Sequence, residues 1–383
     1  MMQENRIYPE TILYAIYAAL IPLNMILNFS GNGTINKYIG LLAAAIGGYR
    51  LLVTRKIALP SMYYIFIIFA AYCFIAVLIA PETQIHFFQT YISLLATFLV
   101  FLIRGFNKKE FNFIMFLSTV VAAIVFFYLA PNLGTSYSRG TLSSEAGSAD
   151  SNSLAANMLF SAVYSIDKMF SGSNNKQKVL YATLLLLIVL GVVMTGSRGA
   201  LLTLAISSTM YYVHRNKRKD KQSSKVLNYC LIIFAILVAG RYISGHVNSH
   251  IIERLNITSL IEDGGSGRLE IWKYYLKESH DSIAHLLFGH GFATSLNAHN
   301  VYIEYLYSTG IIGCVLLIAS QIVPLKYAIR SKSSLSVGYL IIIIATCCTI
   351  GYFLNKGYWN GITLAMIAVN NMNRKEDNSC QDS

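Results

Sequence analysis

Charge is scarce in this chain. Asp, Glu, Lys and Arg make up 13% of its 383 residues, where an ordinary soluble domain carries roughly 25%. A conventional water-soluble fold is excluded on that ground. Cysteine is sparse too, and it forms no pattern: six are present and no two stand as CxxC. Cys73, Cys230, Cys314, Cys347 and Cys348 sit in apolar runs, where cysteine packs as a small hydrophobe, and Cys380 lies in a polar tail. A zinc-ribbon or dithiol framework is therefore not expected. The N-terminus lacks a basic stretch and a cleavage site, so the first apolar run is expected to be retained. No internal repeat occurs, and no pair of Gly/Pro-broken segments in matching halves, which weighs against a secondary transporter. Ionisable residues are nearly missing from the apolar interiors, with Glu304 the clearest exception. A pump or transporter needs such groups near mid-membrane.

What fills the chain is apolar sequence: 55% of residues are hydrophobic and mean hydropathy is +0.52. Runs such as Thr11–Phe29, Met62–Ala80, Phe111–Ala130 and Leu335–Leu354 have the length of membrane-crossing helices. The pattern predicts one all-α polytopic membrane domain over 1–383, with about twelve spans. These are 10–29, 37–53, 61–80, 86–103, 111–130, 151–166, 179–194, 200–213, 227–243, 301–323, 335–354 and 358–370. With both termini cytoplasmic, 21 of the 30 Lys and Arg residues fall in cytoplasmic segments, and every such segment obeys the positive-inside rule. The net charge of +12 is thus an insertion signal and gives no reason to expect a nucleic-acid partner. The basic run Arg215–Lys225 reads either as a topogenic loop or as a site for anionic membrane lipids.

Polarity collects in two outer segments, Pro131–Asp150 and the long loop 244–300, which holds six of the eight histidines. Long polar loops on one face of a scaffold are where a membrane enzyme places its chemistry. Three constellations stand out. Thr195-Gly196-Ser197-Arg198-Gly199 puts Arg198 at a helix N-terminus that favours an anion; the alternative is a hairpin with one interfacial arginine. Gly264–Trp272 is a Gly-rich turn entering a helix whose face of Leu269, Trp272 and Leu276 suits the bilayer surface. Arg268 in its first turn opposes the helix dipole, a conflict a bound anion would resolve, unless it is simply a solvated arginine. Ala298-His299-Asn300 opens the tenth span, with His299 as either a neutral general base or an interfacial cap. Glu304 lies four residues after Asn300, where it can approach that site or an arginine. Among the other loop histidines, His246, His250, His280, His285 and His290, the pair His246 and His250 stands four residues apart and could share a helix face, but no carboxylate or third histidine completes a recognisable set with it, and Gly289-His290-Gly291 looks like a turn. No metal is expected, nor any cofactor.

The stretches TGSRGALLTL at 195–204, SGRLEIW at 266–272, LLFGHGF at 286–292 and AHNVYIEYLYSTGIIG at 298–313 resemble the bacterial O-antigen ligase and polymerase superfamily. The polar segment 138–158, containing Arg139, looks similar as well. The resemblance implies a metal-independent inverting glycosyltransferase at the outer face of the bacterial cytoplasmic membrane. Its donor and acceptor would be undecaprenyl-pyrophosphate-linked glycans. It implies Arg198 and Arg268 on the donor pyrophosphate and His299 activating the acceptor. Arg254, Arg139, Asn300, Glu304 and Trp272 would contact substrate. Arg254 and Gly265 fit the Arg-x10-Gly pattern of polymerase loops, although position 150, where Arg139 would need its glycine, is Asp. Repeat-unit polymerisation is the first expectation, with a chain-length-regulating protein left open as a partner. Ligation of finished glycan to lipid A-core is the second, and a lipid-linked glycan flippase is the alternative of another class.

Overall fold

The computed structural model describes residues 6–23, 35–54, 62–78, 85–129, 143–144, 147–148, 150–172, 174–216, 268–291, 298–351 and 356–381. Thirteen helices account for nearly all of these. They are α1 Pro9–Ala19, α2 Ile35–Thr54, α3 Tyr63–Leu78, α4 Ile85–Arg104, α5 Lys108–Leu129, α6 Ser151–Ser171, α7 Asn175–Met194 and α8 Arg198–Asn216, followed by α9 Arg268–Glu278, α10 Ile283–Phe288, α11 Val301–Arg330, α12 Ser334–Cys347 and α13 Lys356–Gln381. One antiparallel pair of two-residue strands, Ser143–Ser144 with Gly147–Ser148, is the sole β-structure among the described residues. Eleven of the twelve expected segments overlap helices, some only in part; the ninth, 227–243, lies outside the described residues. By length and composition three helices, α5, α7 and α11, are apolar enough to cross a membrane, with shorter apolar stretches at Tyr63–Leu78, Tyr91–Arg104 and Ser334–Cys347.

The centre of the bundle is made by the elements that look least like spans. Helix α6 is rich in Ala and Ser, and every residue from Leu154 to Ile166 except Asn157 is buried. Small side chains let neighbouring helices approach closely, and α5, α7, α8 and α12 all pack on it. In α13, Lys356 to Val369 are buried throughout. A helix enclosed on all sides belongs to the core and not to the lipid face. Trp359 stands between Phe69 and Phe98, with ring centroids 5.9 and 4.9 Å away.

Three departures from the sequence reading matter. Helix α1 ends at Ala19, well short of residue 29. The expected span 335–354 stops at Cys347 and gives way to a turn over Cys348–Ile350. The third concerns α11. Its thirty residues would extend about 45 Å as one rod, more than the roughly 30 Å of hydrocarbon. Instead Gly310 adopts φ 64° and ψ −169°, and the chain folds back there. The Tyr302 hydroxyl donates to Gln321 Oε1 at 2.8 Å, and Cys314 Sγ lies 4.0 Å from the Tyr302 carbonyl oxygen. In a straight helix residues 302 and 321 would be about 28 Å apart. Residues 301–309 are therefore a half-helix laid against the limb 311–330, whose twenty residues match one membrane crossing.

Charge also enters the packed interior where the apolar reading placed none. Glu10 is 1% exposed and Glu110 2%. Arg104 Nη2 sits 3.0 Å from Glu10 Oε1 and 2.8 Å from Glu110 Oε1, and Arg50 adds a contact to Glu10 at 3.1 Å. The Thr11 hydroxyl donates to Glu110, so α1, α2, α4 and α5 share one ionic knot. Pairing across about a hundred residues has no local signature, which is why it escapes a sequence reading.

Candidate functional site

The described part of each of the three constellations occupies the kind of element its sequence suggests, the Gly-rich turn 264–267 lying outside the described residues, and all three rest on one turn. Helix α7 closes at Thr195, Gly196 turns with φ 62°, and Ser197 caps α8 by accepting from the Ala200 amide at 3.4 Å. Thr195 Oγ1 accepts from the Ser197 amide at 3.2 Å, fixing the turn from inside. Arg198 is the first residue of α8, and Gly199 follows because no side chain fits there. A methyl group at Gly199 would stand 2.9 Å from Thr349 Cβ.

Arg268 begins α9 and donates from Nη1 to the Thr349 carbonyl oxygen at 2.8 Å. The expected bilayer-facing side of α9 divides: Leu269 and Leu276 are exposed, while Trp272 turns its indole Nε1 onto the Ala298 carbonyl oxygen at 2.8 Å. Trp272 thus anchors the residue that precedes His299. On this geometry it holds the histidine segment.

His299 has φ 52°, a left-handed conformation that few residues other than glycine adopt but for which histidine is enriched. It lies just outside α11. The cap itself is Asn300, whose side-chain oxygen accepts from the Tyr302 and Ile303 amides at 3.0 and 3.3 Å. Its Nδ2 reaches the Cys348 carbonyl oxygen at 3.4 Å. Glu304, 8% exposed, turns back to accept the Ala298 amide at 3.0 Å. Its carboxylate also closes on Gly351, where a methyl group would lie 2.6 Å from Oε1. The histidine segment is pinned by Trp272, by Asn300 and by Glu304.

The turn Cys348–Gly351 is therefore the common floor, at the place where the expected span 335–354 puts the tail of an apolar helix. The signal was the run Thr-Cys-Cys-Thr-Ile-Gly at 346–351, polar and small where the flanking span is branched and aliphatic. Expected site residues Arg139 and Arg254 lie outside the described residues. The fold brings together the remaining six, Arg198, Arg268, Trp272, His299, Asn300 and Glu304.

Behind the site, the Gly289-His290-Gly291 turn docks into the break of α11. His290 and Gly291 amides donate to the carbonyl oxygens of Tyr307 and Ser308 at 2.9 Å each. The approach is backbone on backbone: a methyl group at Gly310 would fall 2.3 Å from the Leu287 carbonyl carbon and oxygen. His285 Nδ1 is 2.7 Å from Asp281 Oδ1, and this contact is the first cause holding the Asp281 carboxyl below its usual range.

Residues 183–318 match the family model described as O-antigen ligase. The matched stretch runs from α7 to the folded-back limb of α11 and includes all three constellations. It supports the O-antigen ligase/polymerase superfamily, whose members are glycosyltransferase-like enzymes, and it does not distinguish ligase from polymerase. No curated protein matches the chain.

Proposed function

We propose that this chain is an inverting membrane glycosyltransferase that joins undecaprenyl-pyrophosphate-linked repeat units at the outer face of a bacterial cytoplasmic membrane. The observation that carries this reading is the convergence on the turn around Thr349 of Arg268, of Gly199 beside Arg198, and of Asn300 beside His299. Two guanidinium groups and the N-terminus of α8 suit a diphosphate, which leaves with its negative charge and needs that charge neutralised. In the step, the acceptor hydroxyl oxygen bonds to the anomeric carbon from the face opposite the diphosphate. The bond from that carbon to the diphosphate oxygen breaks, and His299 takes the hydroxyl proton. Arg268 already spends one of its five N–H donors on Thr349, which orients the guanidinium before substrate arrives. Trp272, Asn300 and Glu304 hold the histidine in its left-handed backbone. Arg139 and Arg254 are assigned further substrate contacts on the resemblance alone.

Ligation of finished glycan to a final acceptor such as lipid A-core is the second reading, favoured by the description of the matching family model. The chemistry is the same and the acceptor differs. Surface polysaccharide from a deletion strain separates the readings. Single repeats in the deletion strain, with the His299→Ala and Arg268→Ala proteins made at normal membrane level and failing to restore long chains, are expected for a polymerase. Long chains left on undecaprenyl pyrophosphate would establish the ligase. A normal ladder from both variants would overturn glycosyl transfer at this site and return the flippase alternative.

A further inference from the structure

Asp281, His285 and His290 lie within ten positions but on three pieces of local structure: one follows α9, one lies within α10 and one sits in the Gly289-His290-Gly291 turn. The fold brings their donor atoms to within 4.8 Å of one another. Asp281 Oδ1 is 2.7 Å from His285 Nδ1, and Asp281 Oδ2 is 3.8 Å from His290 Nε2. The two imidazole rings are 3.8 Å apart, tilted by 34°. Tetrahedral zinc holds nitrogen and oxygen at about 2.0–2.2 Å, which puts neighbouring ligand atoms about 3.3 Å apart. The two carboxylate-to-imidazole separations bracket that value, and rotations of the half-exposed Asp281 and His285 side chains bring them to it.

We infer that Asp281, His285 and His290 form a binding site for a divalent transition metal of the zinc class, one that clasps the surface hairpin α9–α10 onto the break in α11. Two imidazoles and one carboxylate are the donor set such ions prefer, and half-exposed Asp281 and His285 leave a coordination position open to water. His290 is held for the role from behind. Its ring stacks on Tyr307 at 4.4 Å and 16°, and its amide is bonded to the Tyr307 carbonyl oxygen. The hydrogen bond between His290 Nε2 and the Glu278 carbonyl oxygen, 3.2 Å long, is the one the metal displaces. The site is structural and takes no part in glycosyl transfer: Asp281 lies thirteen residues beyond Arg268, about 16–20 Å along α9 and the following turn. A metal there fixes the turn that seats against Tyr307 and Ser308, and so steadies the half-helix carrying the cap Asn300. The clasp stands or falls independently of the reading of the site as a glycosyltransferase.

The test uses full-length protein in detergent, purified on a tag without histidine, stripped with chelator and titrated with cobalt(II) and then zinc(II). One equivalent of cobalt is expected to give a visible d–d band that zinc abolishes. Asp281→Asn and His290→Ala should each weaken binding at least tenfold, while the exposed neighbour substitution His280→Ala leaves it unchanged. Asp281→Asn alters only a half-exposed group, so it decides the matter even if His290→Ala fails to fold. Zinc should also slow proteolytic cutting within 279–291 in the unaltered chain but not in Asp281→Asn. No band at one equivalent of cobalt would overturn the clasp, and so would a band undiminished in Asp281→Asn.

Discussion

His299 carries its backbone at φ 52°, a conformation that costs of order 1–3 kcal/mol and persists only where its surroundings over-determine it. Those surroundings are three hydrogen bonds on either side of it: Trp272 to Ala298, the Ala298 amide to Glu304, and Asn300 to Cys348. Trp272→Phe keeps the aromatic body and deletes the indole N–H. Losing one such bond costs about 1 kcal/mol. The expected outcome is a roughly fivefold fall in the turnover of glycan lengthening, at unchanged acceptor KM and membrane level. An unchanged rate would remove Trp272 from the positioning of His299. At this scale the sequence was informative where chemistry is unusual locally: an arginine at a helix start, a His-Asn pair before an apolar run. It was silent on the Thr349 floor, because a carbonyl oxygen offered by a turn has no residue type to betray it.

The fold-back at Gly310 is the element that turns those residues into a site. It places the start of the half-helix 301–309 beside Cys314 instead of about 18 Å away along a straight rod. Gly310→Ala would meet the Leu287 carbonyl at 2.3 Å and force an unfavourable φ of 64° on a residue with a side chain. The left-handed backbone costs about 1–2 kcal/mol and the overpacking about 1–3. A loss of about 2–4 kcal/mol in thermal or denaturant unfolding is expected, with early proteolysis across 283–291. Gly48→Ala, whose nearest neighbour is Val100 Cγ2 at 3.9 Å in the middle of α2, should be neutral or slightly stabilising and serves as the control. Apolar periodicity marks Val301–Arg330 as helical but cannot show a reversal inside it. A single glycine between Thr309 and Ile311 looks like any small residue in a span until something approaches its Cα. The same limit hid the core role of α6, whose small and polar residues read as one more span when they are in fact the packing surface for five neighbours.

Across the whole molecule, in the topology the charge pattern predicts, 21 of the 30 basic residues fall at the end of the bundle opposite the candidate site, which keeps Arg198 and Arg268. Lys277 is exposed in the last turn of α9, and Ser331 sits in the turn between α11 and α12. In a background with the native cysteines replaced, Lys277→Cys should react with a membrane-impermeant maleimide on intact cells made permeable only at any outer membrane. Ser331→Cys should react only after lysis. The reverse pattern would invert the topology and move the site to the cytoplasm. Hydropathy, with three helices long and apolar enough to cross a membrane, made the all-helical character of the described residues legible. The ionic knot of Glu10, Arg50, Arg104 and Glu110 was not, since each partner sits near the end of its own helix and looks interfacial alone. That knot has a consequence for how the chain is made. Synthesis proceeds from the N-terminus at about 5–20 residues per second, so Glu10 enters the membrane several seconds before Arg104 exists. In the interval Arg50 is the one described basic partner the nascent chain has made for it, and the first spans are an unfinished circuit. The buried carboxylate of α1 therefore ties completion of the N-terminal third to the arrival of α4 and α5, and the first three helices alone are not a unit that can be born stable.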